Sequence, residues 1–390
     1  MWALSLRILI CLICSLSVVG LLTGLSGCAT IEHRSEAPEK ESLPALTSNI
    51  HAKPIWSNSE SRGIGKSDAR LKPAMTNESV IIADHKGRIY AFNRATGAVV
   101  WKVETEASIT AGPTVGKDYV FVGTRQGEIL AFKAKDGSKL WRVPLSGEVL
   151  ASPTIGGNHL FVHALDGSVT ALSLEEGRTL WRYSSTHTPS IVLRQSSSPV
   201  LAGNQVIVGF SNGKLRSFNA FDGTVLWERE VGAPKGRSDV QRMADISADP
   251  IVINDIVYAV SLQGNLAAVS LETGFPVWER TISSYAGMSY AKDKIYISEV
   301  DGSIQAVDRK TGKTLWQQKS LKGHRLTAPA ILGNSIIVGD DEGYLHWISG
   351  ENGSFTGRDR MDSKGIDATP VVLGNTLIVL GRSGKLAVLR

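Results

Sequence analysis

The chain has 390 residues, 42% hydrophobic and 20% charged, with 42 Lys and Arg against 37 Asp and Glu for a formal charge of +5. That balance excludes a disordered chain and a polytopic membrane protein. Basic residues are spread along the chain without a run, which argues against a nucleic-acid partner.

The three Cys all lie in the first segment. Residues 1–27 carry one early charge, Arg7, followed by an apolar stretch from Ile8 to Leu22. The stretch is shorter than the ~20 residues a spanning helix needs and fits a cleaved leader. It ends in Leu25-Ser26-Gly27-Cys28, which resembles the bacterial lipobox. Small residues there give a signal peptidase access to the bond before Cys28, whose thiol then becomes the lipid attachment point. Cys11 and Cys14 leave with the leader, so the mature chain has no second thiol for a disulfide. The resemblance implies that an Asp after the Cys would favour the inner membrane; Ala29 points to the outer one. Residues 28–49 read as the lipidated Cys and a flexible polar tether with an end-to-end distance of roughly 25 Å.

Self-similarity dominates residues 50–390. A Gly opening an apolar strand recurs eight times, at Gly87, Gly127, Gly167, Gly213, Gly264, Gly302, Gly343 and Gly384. Ten residues after each of the first seven sits another Gly, from Gly97 to Gly353. Four residues further stands Trp101, Trp141, Trp181, Trp227, Trp278 or Trp316, with Gly357 in the seventh repeat. Fourteen residues before the first Gly stands Pro, except for Met288 in the sixth repeat. Each unit divides into four short strands, the first holding the Pro and the last the Trp. Four strands per ~40-residue repeat predict an all-β, eight-bladed propeller. The Trp, needed once per blade, packs between neighbours; Gly357 is therefore expected to mark the weakest blade contact. The eighth repeat ends at Arg390 without a Trp strand, and Ile50–Trp56 supplies one upstream. Pairing the two closes the ring.

All length variation falls between one Trp position and the next Pro position. The two longest links run from Trp181 to Pro199 and from Trp227 to Pro250, 18 and 23 positions apart; Trp56 to Pro73 is 17. Strand alternation puts these links on one face, where insertions mark binding. The first link places Ile191, Val192, Leu193 and Arg194 between Ser/Thr-rich flanks, the composition of a protein-binding hot spot. The second carries Arg237, Asp239, Arg242 and Asp245 close to Met243. Adjacent blades are expected to bring the two links together.

No catalytic or metal-binding pattern emerges. His159 and His163 share a strand face without a further ligand at zinc spacing. Asp340-Asp341-Glu342 lacks calcium-loop spacing, and no G-x-S-x-G occurs.

The repeat resembles that of pyrroloquinoline-quinone (PQQ) dependent dehydrogenases over residues 50–390. That resemblance implies the fold; the chemistry would further require a stacked quinone, a Ca²⁺ site and, in many members, an adjacent Cys pair. The lipobox, the tether, eight such blades, the opening PIWSNSESRGIGKSDARLKPAM and the segments GDDEGYLHWI and QGNLAAV look more like the BamB family, lipoprotein subunits of the outer-membrane β-barrel assembly (BAM) machinery. This resemblance implies a periplasmic scaffold without cofactor that binds a periplasmic domain of the barrel-forming BamA subunit. Other BAM lipoproteins would be reached indirectly, and unfolded outer-membrane protein clients are potential partners. A family Leu-x-Leu-Arg segment corresponds to Ile191, Leu193 and Arg194, and one of two acidic positions to Asp245; Ser247 stands at the other. The competing readings are a quinoprotein enzyme and a cell-wall-binding propeller, for which Trp347 is the candidate aromatic.

Overall fold

The computed structural model describes residues 40–46, 50–65, 69–185, 191–232, 236–238, 240 and 242–390. The expected leader and Cys28 lie outside these residues. Eight sheets, antiparallel but for one added strand, follow one another along the described chain, and none of it is helical. First strands of successive blades touch one another around the axis of the ring, and the fourth strands form its rim. Seven sheets have four strands. The sheet containing Ile109–Gly116 has a fifth, Arg70–Leu71, which runs parallel to that strand on its channel side. The last sheet joins Val371–Leu373, Thr376–Leu380 and Leu386–Leu389 to Pro54–Asn58, with Trp56 opposite Val388. The ring is therefore closed by the N-terminal strand, as the repeat arithmetic requires.

Second and third strands are covered on both faces by neighbouring blades, which explains their near-continuous apolar runs, such as SVIIA at Ser79–Ala83. Outer strands alternate; in Val99–Glu104 the side chain of Trp101 turns inward while its neighbours face solvent. The molecule has no single core. Eight apolar clusters lie one between each pair of consecutive blades, the last joining Trp56, Tyr90 and Phe92 to Ile378 and Leu386 across the closure. The prolines serve the narrow end of this wedge. Pro73, Pro153, Pro199, Pro250, Pro329 and Pro370 each stand immediately before the inner strand, and Pro113 lies within one. Three of their carbonyls accept a hydroxyl from the preceding blade: Pro153 from Thr114 Oγ1 (2.7 Å), Pro199 from Thr154 Oγ1 (2.6 Å) and Pro329 from Ser289 Oγ.

The frame also has a physical cause. Trp56, Trp101, Trp141, Trp181, Trp227, Trp278 and Trp316 each lie against the turn glycine of the following blade, Gly97 through Gly353 in order. Each indole Nε1 donates to a carbonyl of that same blade at 2.7–3.3 Å. These glycines have φ between +68° and +76°, and a Cβ on any of them would lie within 2.8 Å of the indole. Turn geometry and the neighbouring ring thus both require glycine.

Gly357 departs from the expectation of a weak seam. In the other complete blades the Trp pairs across with Ala91, Ala131, Ala171, Ser217, Ala268 or Ala306. In blade seven the sizes are exchanged, and Trp347 sits opposite Gly357. Trp347 is buried with Ile366, Leu377 and Leu389 between blades seven and eight, and its Nε1 donates to Asp359 Oδ2 at 3.2 Å. Gly357 leaves room for the closing segment: a Cβ there would meet the Ile50 carbonyl at 2.1 Å. Trp347 is thus a seam residue and no exposed sugar platform. Truncating it should destabilise the protein as much as truncating a frame Trp. Trp347→Ala and Trp316→Ala should each lower the unfolding free energy by about 3–5 kcal/mol in denaturant titrations; parental stability for Trp347→Ala would contradict the exchange. Deleting Gly384–Arg390 removes the partner of Pro54–Asn58 and should abolish the cooperative transition of the whole ring, which calorimetry would show.

Candidate partner-binding face

Links between blades cross back over the turns between second and third strands. The first glycine of the frame lies directly beneath, with the carbonyls of Ala107, Gly147, Gly232, Leu321, Asp362 and Ser61 over Gly87, Gly127, Gly213, Gly302, Gly343 and Gly384. All the links therefore share one face with those turns, and the two longest stand between blades three and four and between four and five. Residues 186–190 of the first, and 233–235, 239 and 241 of the second, lie outside the described residues, among them Asp239.

From Ile191 to Ser198 the first link is irregular and does not extend the inner strand, which starts at Val200. Ile191 is 42% exposed, Val192 and Leu193 are half-buried, and Arg194 is exposed. Arg194 Nη2 donates to Glu148 Oε2 at 2.6 Å, a carboxylate of the link between blades two and three. The base of the loop is fixed from below. Ser197 Oγ exchanges hydrogen bonds with the backbone of Gly209, and its carbonyl lies 3.0 Å from His163 Nδ1. Burial lowers the pKa of His163, so its ring stays neutral and packs on Phe210.

The second link brings its acid inward. Asp245 is 1% exposed, and Ala244, Ile246, Ser247 and Ala248 around it are as deeply buried. The Leu193 N–H donates to Asp245 Oδ1 at 3.0 Å, which joins the two links. Asp245 is therefore not on the outer surface, where an acid meant to meet a partner directly would stand. Oδ2 has no hydrogen-bond partner, and burial pushes the carboxyl up to about 6, opposed by the Leu193 amide.

Spacing alone under-rated a third link. The segment from Trp56 to Pro73, only one position shorter than the link from Trp181, reaches the channel, a cavity of about 760 Å³ on the axis. There Arg70 Nη1 donates to the carbonyls of Ser196 (3.0 Å) and Ser247 (2.6 Å), one in each long link. Lys72 Nζ donates to Asp249 Oδ2 at 3.5 Å, and Asp249 Oδ1 accepts from the Ser198 N–H at 2.7 Å. Burial works against the Asp249 charge, but Lys72 and Arg70 outweigh it and lower its pKa. Among the described residues no group of three or more His, Cys, Asp or Glu is arranged to hold a metal. The acidic turn at Asp341 and Glu342 receives Lys40 instead, at 3.1 and 2.9 Å.

Asp245 predicts a pH effect. Its pKa is higher in the folded chain than the ordinary 3.8, so its contribution is most favourable below pH 4 and is lost as pH rises to about 6. Asp245→Asn removes that loss. Its stability relative to the parent should improve across this window by roughly 1–3 kcal/mol; a pH-independent difference in urea titrations would contradict the sealed geometry.

A sequence profile described as outer membrane protein assembly factor BamB matches residues 85–318 and 300–390. The BamB of Alkalilimnicola ehrlichii is 44% identical over 354 residues, covering 91% of this chain and 92% of that one. The BamB of Pseudomonas aeruginosa is 39% identical over 370 residues, 95% and 97% of the two chains. The crystal structure of BamB from Moraxella catarrhalis superposes with a TM-score of 0.80 at 26% identity, covering 87% of this chain and all of that one. Quinohemoprotein alcohol dehydrogenase from Comamonas testosteroni, with a TM-score of 0.70 over 88% of this chain and 78% of its own, is only 12% identical and shares the fold alone. The chain belongs to the BamB family of outer membrane protein assembly factors, not to the quinone-dependent enzymes whose propeller it shares.

Proposed function

We propose that the protein is a non-catalytic scaffold lipoprotein, held through Cys28 on the periplasmic side of the outer membrane. In this reading it binds a periplasmic domain of the BamA-type barrel subunit with the loop bearing Ile191, Leu193 and Arg194, and so assists insertion of β-barrel proteins. The observation that carries the reading is the junction of the two longest links at Leu193 and Asp245, which leaves Ile191 exposed beside Arg194 on a closed ring. Loops held in one geometry lose little ordering entropy on association. Arg194 is exposed beside Ile191, its guanidinium 2.6 Å from Glu148.

The start of the described chain and the loops stand on different parts of the ring. Lys40 bonds the blade-seven turn, and the Pro44 carbonyl accepts from Arg358 at 2.7 Å, whereas the loops flank blade four. The 12 positions from Cys28 to Lys40 limit the reach of the anchor from blade seven to about 40 Å. The body thus stays within that reach of the membrane.

Two truncations test the interface. Leu193→Ala with Arg194→Ala should weaken binding to the purified periplasmic domains of the barrel subunit by about 30-fold or more, with an unchanged melting temperature. Undiminished affinity in a folded variant would refute the interface. Cys28→Ala should move the protein from the outer-membrane fraction to the soluble periplasm; retention in the membrane would refute the anchor.

A further inference from the structure

Resting on that interface, we infer that Asp245 and Arg70 are positioning residues: they act by holding the two long links in one geometry, Asp245 at the tip of the pair and Arg70 at its base, rather than by touching the partner.

Asp245 is placed for this role. Its Oδ1 takes the Leu193 N–H, and its own carbonyl accepts from the Leu262 N–H at 2.8 Å. Next to it, the Ile246 N–H bonds the Phe210 carbonyl at 3.1 Å, and the Ile246 side chain fills the space over Gly209. An acid fixed on both sides and 1% exposed has no route to an incoming basic group short of opening the link. What it supplies is an acceptor. The half-buried Leu193 amide sits in an irregular segment that offers no ladder partner, and an unmade bond there would cost the loop its shape. Burial already brings the carboxyl to about 6. A neutral side chain of the same shape therefore suits the position.

Arg70 does the same work from the channel. Its backbone is fixed by parallel pairing, Arg70 with Ala111 and Leu71 with Gly112. The guanidinium then bonds one carbonyl in each long link, Ser196 and Ser247, and lies 3.9 Å from Asp249. A planar cation with donors spread in a fork can bridge two carbonyls that an apolar side chain would leave unpaired. Both long links thus depend on a residue from the far end of the chain, contributed by the segment that closes the ring.

The test combines binding with amide hydrogen exchange, using the whole mature protein and the purified periplasmic domains of the barrel subunit. Asp245→Ala should weaken binding about tenfold or more and speed exchange at residues 191–194. Asp245→Asn, which keeps an oxygen for the Leu193 amide, should recover most of that loss in both readouts. Arg70→Met should weaken binding by a similar factor and speed exchange at 196–198 and 247–249, with Arg70→Lys recovering part. If Asp245→Asn binds as poorly as Asp245→Ala, the charge itself meets the partner and the inference is wrong. Parental exchange in Asp245→Ala or Arg70→Met would also overturn it. These outcomes are separable from failure of the interface. If Leu193→Ala with Arg194→Ala binds like the parent, the interface reading falls, while exchange in the unbound protein still decides whether the clamps exist.

Discussion

An indole laid on a glycine is the contact on which the ring depends. In each of the first seven blades the turn glycine has positive φ, its Cα is covered by the Trp of the blade before, and the indole N–H is satisfied by a carbonyl of that same blade. Neither residue can change without the other, which is why the ten- and four-residue spacings are constant along the chain. No blade owns a core, because each apolar cluster belongs to two. Stability is therefore a property of the closed circle, and the strand Pro54–Asn58 completes it.

This division of labour decides where variation is possible. Within a blade every position is committed to a neighbour, so added length goes into the links, and all the links emerge on one face. The consequence is a rigid ring with a variable surface, in which loops can be lengthened without disturbing the seams. Even there the freedom is partial. The link between blades four and five is exposed at Gly236–Ser238 and sealed again from Ala244 to Ala248.

The fold was legible because its determinants are local and repeated: a Gly for each turn, a Trp for each seam, and alternation in each outer strand. What failed to show was what depends on pairing between positions. Gly357 looked like a missing Trp because the frame counts along the chain, whereas its replacement, Trp347, stands ten residues earlier and directly across the ladder. The signal was present, as Trp347 occupies the position of Ala or Ser in the six preceding blades. Asp245 read as a surface acid because residue type suggests exposure, and burial in an irregular link leaves no periodic trace. Arg70 was passed over for the same reason, although the length of its link set it close to the two that were singled out. In residues 28–49, read as a free tether, Lys40 and Pro44 bond to blade seven. Polar composition does not reveal that the acidic turn it meets is waiting for a cation.

The candidate interface shows why residue type is a poor guide to role. Charges at a binding face do two jobs that look alike in sequence: some meet the partner, and others satisfy backbone groups that irregular loops leave without a ladder. Geometry separates them. Arg194 is exposed, and its guanidinium lies 2.6 Å from the largely buried carboxylate of Glu148. Arg70 and Asp245 point inward at a carbonyl pair and an amide, and their removal would leave those groups unpaired. Ser247 fits the same logic. Its side chain is buried, and its carbonyl is what Arg70 uses, so an acid at that position would add a desolvated charge to a site already supplied with donors and acceptors. In the proposed interface the surface offered to a partner is mainly apolar around Ile191, and Asp245 and Arg70 hold its shape from beneath.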